Sequence, residues 1–420
     1  MMRHLRITKG LDIPFDAPKT RAAKIVSPEV ALDFTFFQSI RPHVLVQEGD
    51  RVALGQPLVE EKGGTLRYFP SPASGLVKEV RRGEKRVLRA IVIHQEGDRS
   101  HPLPSEEDPM LFLSQSGLLS WIWMRPFHLP AHPHLAPRSI FIKALETAPL
   151  TVPSELQIEG REAEFQAGLQ LLARIAPVHL ICRQGSPFTS FEGVEISTVE
   201  GPHPAANPSV HIHFIDPIKK SSDVVWSLDA WAVAAIGHAR LRGRLLAEKW
   251  VSTPQGFALT PLGASISAFS LPPGTFISGD PLTGMEVGPA DFLLWHHSTI
   301  LSIPPDPSRK LFHFLRLGTK NYTATGTYLS PKKPLFSNRL HGEERAFVDP
   351  NIYDRVMPMR VPTVPLVKAI LAEDFQTAEK LGILEIASED FALATFICPS
   401  KIEIAEIIEK GLKRFVSEYS

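Results

Sequence analysis

Between Arg41 and His94 apolar residues recur at short intervals, broken by turn formers. Val44, Val46, Val52 and Leu58 fall around "EGD" (Glu48–Asp50) and "GQP" (Gly55–Pro57), which predicts short strands joined by glycine-containing turns. A second half-unit follows in "SPASGLVKEV" (Ser71–Val80) and "RRGEKRVLRAIVIH" (Arg81–His94). Two similar half-units predict a flattened barrel-sandwich, closed by the proline- and acid-rich linker His101–Pro109.

From about Met110 to Gly243 the pattern changes to alternating buried strands and helices. "SIFIKALET" (Ser139–Thr147), "VHLICRQG", "VEISTVEG" and "VHIHFIDP" read as strands. "EFQAGLQLLARIA" (Glu164–Ala176) places Phe165, Leu169, Leu172 and Ile175 on one helical face. "SLDAWAVAAIGHARLRG" (Ser227–Gly243) reads as a helix with a serine cap and a glycine stop. Such alternation predicts an α/β layer fold. Trp250 to Pro305 returns to short strands and turns, and the tail from Pro362 is helical. In the last helix Ser400 and Glu403 form an expected capping box, with Ile404, Ile408, Leu412 and Phe415 on one packing face.

Composition narrows the class. At 420 residues the chain exceeds one hydrophobic core, so several domains are expected. Forty-five basic and forty-five acidic residues give no formal net charge, which argues against nucleic acid as the main partner. Cys182 and Cys398 are too few for a disulfide framework or a cysteine metal cluster, and a reducing compartment is expected. The basic start "MMRHLRITKG" precedes no apolar stretch, so no signal peptide is read. No apolar run approaches the roughly 18 residues of a membrane helix.

Several stretches invite chemistry. The sandwich segment resembles the domains that carry biotin or a lipoyl group on an exposed lysine, and Lys62 lies near the expected hairpin tip. Its neighbours, Glu61 and Gly63-Gly64, lack the carrier context, so a plain turn lysine is the favoured reading. No G-x-G-x-x-G separates a strand from a helix, which argues against a dinucleotide site. In "GPHPAANPSVHIHFIDP" (Gly201–Pro217), His211 and His213 share one face if the segment is a strand. His203 and Asp216 stand nearby, so a metal site is conceivable; imidazoles bonding to backbone are the favoured alternative. "DFTFFQSIRP" (Asp33–Pro42) and "SWIWMRPFHLP" (Ser120–Pro130) join aromatic rings to an Arg-Pro, a combination that suits a flat quinone ring or a packed domain interface. Cys398 alone cannot hold an iron–sulfur cluster, which needs four ligands.

These stretches, in order, resemble the NqrA family, the A subunits of the sodium-translocating NADH:quinone reductase. Those that carry the resemblance are "ITKGLDIP", "RPHVLVQEGDRVALGQPL", "RGEKRVLRAIVI", "SGLLSWIWMRPF", "GPHPAANPSVHIHFIDP", "ISGDPLTG", "YDRVMPMRVPT" and "DFALATFICPSKIE". The resemblance implies a peripheral subunit on the cytoplasmic face of a bacterial inner membrane. It would belong to a pump that couples electron flow from NADH to quinone to sodium export. FAD, FMN, riboflavin and iron–sulfur centres are then expected on partner subunits, with no cofactor tightly bound here. Quinone would be the substrate, and a quinone-associated membrane subunit the neighbour. The family's fold is similar to the NADH-binding flavoprotein of respiratory complex I and to the C subunit of the Rnf complex. Those relatives have a glycine-rich nucleotide loop after Ser-Gly-Leu; here Ser116-Gly117-Leu118 runs into Leu119-Ser120-Trp121-Ile122-Trp123. The position where the family often has a second cysteine holds Ala394.

The resulting expectation is an α/β multidomain chain. Residues 1–40 and 102–253 would form a Rossmann-like domain into which a barrel-sandwich hybrid domain, 41–101, is inserted. A β-grasp-like module at 254–330 and a C-terminal helical module at 331–420 would follow. Phe34, Phe36, Phe37 and Arg41, with Arg125, Phe127 and His128, would come together as a weak quinone site facing the membrane subunit. A soluble NADH-oxidising flavoprotein and a non-respiratory scaffold are the alternatives.

Overall fold

A strand covered on both faces is buried along its whole length, and Ser139–Ala144, Val178–Cys182 and Val225–Asp229 at the middle of the main sheet have this character. In the computed structural model, which describes residues 3–15, 19–305, 346 and 349–419, that sheet has seven strands. Arg3–Arg6, Glu195–Glu200, Val178–Cys182, Ser139–Ala144 and Val225–Asp229 run parallel in that spatial order. Trp123–Arg125 and Leu129–Pro130 extend it antiparallel. Successive side chains of Ser139–Ala144 feed two different cores. Ile140 and Ile142 pack with helices Glu162–Ala173 and Ala230–Arg242, whereas Phe141 packs with helix Pro208–Ile215 and the C-terminal helices.

The two helices of the first core nearly touch. A Cβ on Gly237 would stand 1.7 Å from the Glu164 carbonyl oxygen, so only glycine allows that approach. Helix Ala230–Arg242 stops at Gly243, which takes φ 64°, as the sequence predicts. Its cap differs from expectation. Ser227 lies inside the strand, and Asp229 caps instead, accepting from the Ala232 N–H at 2.8 Å.

The sandwich expected from the sequence is present as two facing sheets. One holds Glu29–Asp33, Leu88–Gln95, Gly75–Arg82 and Arg51–Val52; the other holds Pro42–Val44, Pro57–Glu61 and Tyr68–Pro70. Of the first forty residues, Arg3–Arg6 edges the parallel sheet, while Glu29–Asp33 pairs with Leu88–Gln95 on the sandwich side of the expected boundary. Lys62 is exposed in the hairpin turn between Pro57–Glu61 and Tyr68–Pro70.

Beyond the α/β region, Glu248–Thr253 pairs with Gly256–Pro261, and Thr275–Ser278 is flanked antiparallel by Met285–Val287 and Ile300–Ile303. The expected boundary between 330 and 331 lies outside the described residues. The tail is helical, and Ile404, Ile408, Leu412 and Phe415 are all buried in the second core. The expected capping box does not form. Lys401 takes φ 54°, which interrupts the chain, so the helix runs Ile404–Tyr419 and Ser400 Oγ donates instead to the Ala346 carbonyl.

The histidine-rich stretch is a further correction. It forms a helix, Pro208–Ile215, because Pro208 in the first turn favours helix entry after Asn207. Two residues apart on a helix, His211 and His213 diverge. His211 is buried and bonds the Ala205 carbonyl at 2.8 Å, while His213 reaches Glu385 Oε2 at 2.5 Å. His203 meets Thr147 Oγ1 at 3.2 Å, and Asp216 accepts from Ser139 Oγ at 2.7 Å. Among the described residues no group of three His, Cys, Asp or Glu is placed to hold a metal ion.

Candidate functional site

In the parallel sheet the chain passes from Ser139–Ala144 outward through Val178–Cys182 and Glu195–Glu200. It then returns to the other side of Ser139–Ala144 as Val225–Asp229. The strand order therefore reverses between Ser139–Ala144 and Val225–Asp229. In open α/β sheets, crevices for ligands lie beyond the carboxyl ends of strands at such a reversal. A cavity of about 300 Å³ opens there. Lys143 and Asp229, which are partners in the strand register, stand at its floor.

Four parts of the chain build its walls. The sandwich gives Phe36; the antiparallel extension gives Trp123 and His128; the strands after Trp250 give Asp280, His296 and His297; the C-terminal module gives Glu389. Phe36 meets His297 and His296 at ring distances of 5.2 and 5.4 Å, and Trp123 at 6.1 Å. Trp123 and His128 stack with planes 14° apart. Phe127 and His128 both take positive φ, 78° and 53°, a costly conformation for residues with a Cβ.

Charge is distributed unevenly. Lys143 Nζ stands 2.8 Å from Glu146; burial works against its charge, and the carboxylate more than restores it. Arg125 is fully buried behind the cavity, 3.6 Å from Glu389, and also contacts His128 and Ser209. Burial and then the neighbouring Asp390 push the Glu389 carboxyl up to about 7. His128, His296 and His297 are all pushed down by burial first. Arg125 adds to this for His128 and Lys249 for the other two, so all three imidazoles are neutral at pH 7. Lys249 is itself buried. Its Nζ donates to the Trp295 carbonyl at 3.0 Å and lies over the Trp121 and Trp231 rings, and burial lowers it to about 8.

The seven residues expected to form a quinone site are dispersed. Phe36 and His128 line the cavity. Phe34 and Phe37 do not; both are buried against Phe69 in the sandwich core, at ring distances of 4.8 and 4.9 Å. A short 3-10 turn, Thr35–Phe37, explains the split, since it sends adjacent rings to different sides. Phe127 turns toward Phe415 at 5.3 Å, Arg125 is enclosed, and Arg41 is exposed. The sequence reading missed Lys143, Asp229, Glu389 and the His296-His297 pair. "WHHS" (Trp295–Ser298), two adjacent imidazoles beside an indole, was the available signal.

The bulky segment after Ser116-Gly117-Leu118 forms a 3-10 turn, Leu118–Trp121. Trp121 stacks on Trp295 at 4.7 Å and meets Trp231 edge-on at 4.6 Å, beside the start of helix Ala230–Arg242.

These features define a class: an α/β protein fused to a barrel-sandwich, with a cavity at the sheet's reversal point walled by both. Residues 5–96 match the model of the NqrA N-terminal barrel-sandwich hybrid domain, and residues 106–245 that of the NqrA second alpha/beta domain. The chain is 35% identical to the A subunit of the Na(+)-translocating NADH-quinone reductase of Chlamydia caviae, across 99% of this chain and 97% of that protein. The same-named protein of Pseudomonas aeruginosa is 33% identical, across 99% of this chain and 100% of its own length. The chain belongs to the NqrA family, the A subunits of Na(+)-translocating NADH-quinone reductases.

Proposed function

We propose that this chain serves as the A subunit of a sodium-pumping NADH:quinone reductase, in which electron transfer from NADH to quinone drives sodium export. The observation that carries the reading is the end-to-end likeness to named A subunits from distant bacteria. Among the described residues no helix is long and apolar enough to cross a membrane, which suits a peripheral position on the cytoplasmic face, held by membrane subunits. Residues 102–253 together with the N-terminal strand act as a Rossmann-like domain, 254–330 as a β-grasp-like module and 331–420 as a helical module.

In this reading the protein holds no tightly bound redox cofactor, and the flavins and iron–sulfur centres reside on its partners. Two features support it. Trp121 fills the place of a glycine-rich loop, and Asp229 caps the helix end that a phosphate would otherwise approach. Quinone, if it visits this chain, meets Phe36, Trp123 and His128 at the cavity mouth, where ring stacking and one imidazole can engage a carbonyl-bearing ring. The test is affinity capture of the tagged chain from solubilised membranes of its own host. Recovery of integral subunits of the pump is the expected result. Isolation of a yellow, flavin-loaded soluble chain would favour the NADH-oxidising flavoprotein instead. Recovery without respiratory partners would favour a scaffold, and a lipoyl or biotinyl mass increment on Lys62 would make it a carrier.

A further inference from the structure

Every charged side chain that lines the cavity is already engaged. Lys143 pairs with Glu146 at 2.8 Å, and Glu389 with the buried Arg125 at 3.6 Å. Asp229 commits Oδ1 to its helix cap, while Asp280 accepts from the Leu282 N–H through Oδ1 and from the Thr283 hydroxyl through Oδ2. With Arg125 and Lys249 behind the wall, three cations stand against four carboxyls, one of which, Glu389, is held at about 7. The wall therefore favours neither sign of charge. Two uncharged groups in it do lack a partner. The Trp121 indole N–H, on a side chain only 4% exposed, has no acceptor among the described residues. His296 Nε2 is a buried atom and has no partner among them either. The two rings stand 5.4 Å apart, edge to face. An unmet buried polar atom costs about 1–3 kcal/mol, and most such atoms in folded proteins are satisfied.

An indole N–H needs an acceptor, and a neutral imidazole nitrogen with a free lone pair needs a donor. A primary carboxamide supplies both from one small flat group: its carbonyl oxygen accepts and its N–H donates. Neighbouring rings such as these can be answered by one such group. The rest of the wall suits a planar body, since Trp123 lies 4.8 Å and Phe36 5.4 Å from the His296 ring. The volume of about 300 Å³ lies at the lower end of the range for small-molecule sites, which suits a single substituted ring. We propose that this cavity binds an uncharged aromatic carboxamide. Its carbonyl oxygen accepts from the Trp121 N–H, its amide N–H donates to His296 Nε2, and its ring lies against Trp123 and Phe36. The site goes beyond the respiratory reading and does not depend on it. A quinone has carbonyl acceptors and no N–H, so it answers Trp121 and leaves the His296 lone pair unmet.

Benzamide, acetophenone, benzamidine and benzoate provide the test, since they share size and flatness. Benzamide carries both acceptor and donor, acetophenone keeps the carbonyl and lacks the N–H, benzamidine is a cation and benzoate an anion. The purified full chain is titrated with each by calorimetry, and the melting temperature is followed in parallel. The expected result is saturable benzamide binding that raises the melting temperature and changes little with salt. Benzamide should bind about fivefold or more tighter than acetophenone, and tighter than either charged compound. His296→Phe should bring benzamide down to the level of acetophenone and leave acetophenone unchanged. Trp121→Phe, which keeps a ring and removes the N–H, should weaken both. If either variant fails to fold, the ranking of the four compounds on the unsubstituted chain decides. Acetophenone or a charged compound binding as tightly as benzamide overturns the proposal. Binding of none at millimolar concentration also overturns it, and leaves water as the partner of both nitrogens. A failed membrane capture would leave this ranking untouched, so the two readings fall separately.

Discussion

Asn207 Nδ2 donates to Asp390 Oδ1 at 2.9 Å, joining the entrance of helix Pro208–Ile215 to a turn of the C-terminal module 183 residues later. Both side chains are buried, and Asp390 also accepts from the Ala387 N–H at 2.8 Å. An asparagine before a helix usually caps it; here the amide is committed to a tertiary bond. Asn207→Ala would leave a buried carboxyl short of a donor. A loss of about 1.5–3 kcal/mol is expected, measured by urea unfolding. An unchanged unfolding midpoint would show that the bond contributes nothing.

Stability should fall steeply in mild acid. Burial pulls His203 and His211 down to about 4 and His297 to about 3. The unfolded chain takes up these protons below about pH 6.5 while the folded chain refuses them, so the folded state loses stability as pH drops from 6.5 toward 4. Two carboxyls oppose this. Burial raises Asp33 to about 6 and Glu389 to about 7, so they favour the folded state at low pH and lose that contribution as pH rises from about 4 to 7. Burial also lowers His128, His132, His179, His238 and His296 and raises Glu146 and Asp390, so the lowered histidines outnumber the raised carboxyls and stability rises with pH between about 4.5 and 6. Urea midpoints across pH 4.5 to 7 measure it, and His297→Gln should flatten the curve. A flat wild-type curve would mean the burial effects cancel.

Gly117 takes φ 73°, and a Cβ there would stand 2.4 Å from Pro70 Cδ on the sandwich. Gly117→Ala therefore combines backbone strain with a clash at the junction of two domains. A loss of about 2–3 kcal/mol is expected, read as a lower melting temperature.

The Phe36 and Phe37 rings offer a contrast in one dipeptide. Phe37→Ala removes a core ring and should cost about 3–5 kcal/mol of stability. Phe36→Ala should leave folding nearly intact while weakening quinone affinity in the assembled pump. Equal effects on quinone kinetics from both substitutions would place the quinone elsewhere.

Most of the elements were legible in the sequence because their apolar periods were clean. The strand Ser139–Ala144, the helix face of Phe165, Leu169 and Leu172, and the buried stripe of Ile404, Ile408, Leu412 and Phe415 all follow directly. The failures occurred where local chemistry overrode pattern. "VHIHFI" alternates like a strand, yet Pro208 set it as a helix; Ser400 resembles a cap, yet Lys401 adopts a left-handed turn. The cavity was harder still. Phe36, Asp229, His296 and Glu389 are spread over more than 350 residues, and only the packing of the sandwich, the later strands and the C-terminal module around the point where strand order reverses brings them together. No local period encodes such a reversal, although the bulky Trp121 segment was readable because it stands in one short stretch.

The edge strand Arg3–Arg6 pairs with Glu195–Glu200, whereas the sandwich strands all lie between residues 29 and 95. On a ribosome making roughly 5–20 residues per second, the sandwich can close long before the first strand finds its partner. For roughly 5–20 seconds, the time to make the residues between 95 and 200, strand Arg3–Arg6 is an unpaired β-edge attached to an already folded body. Strand Arg3–Arg6 is thus secured only after the sandwich has closed. A substitution that weakens its pairing would act on late assembly of the sheet rather than on the sandwich.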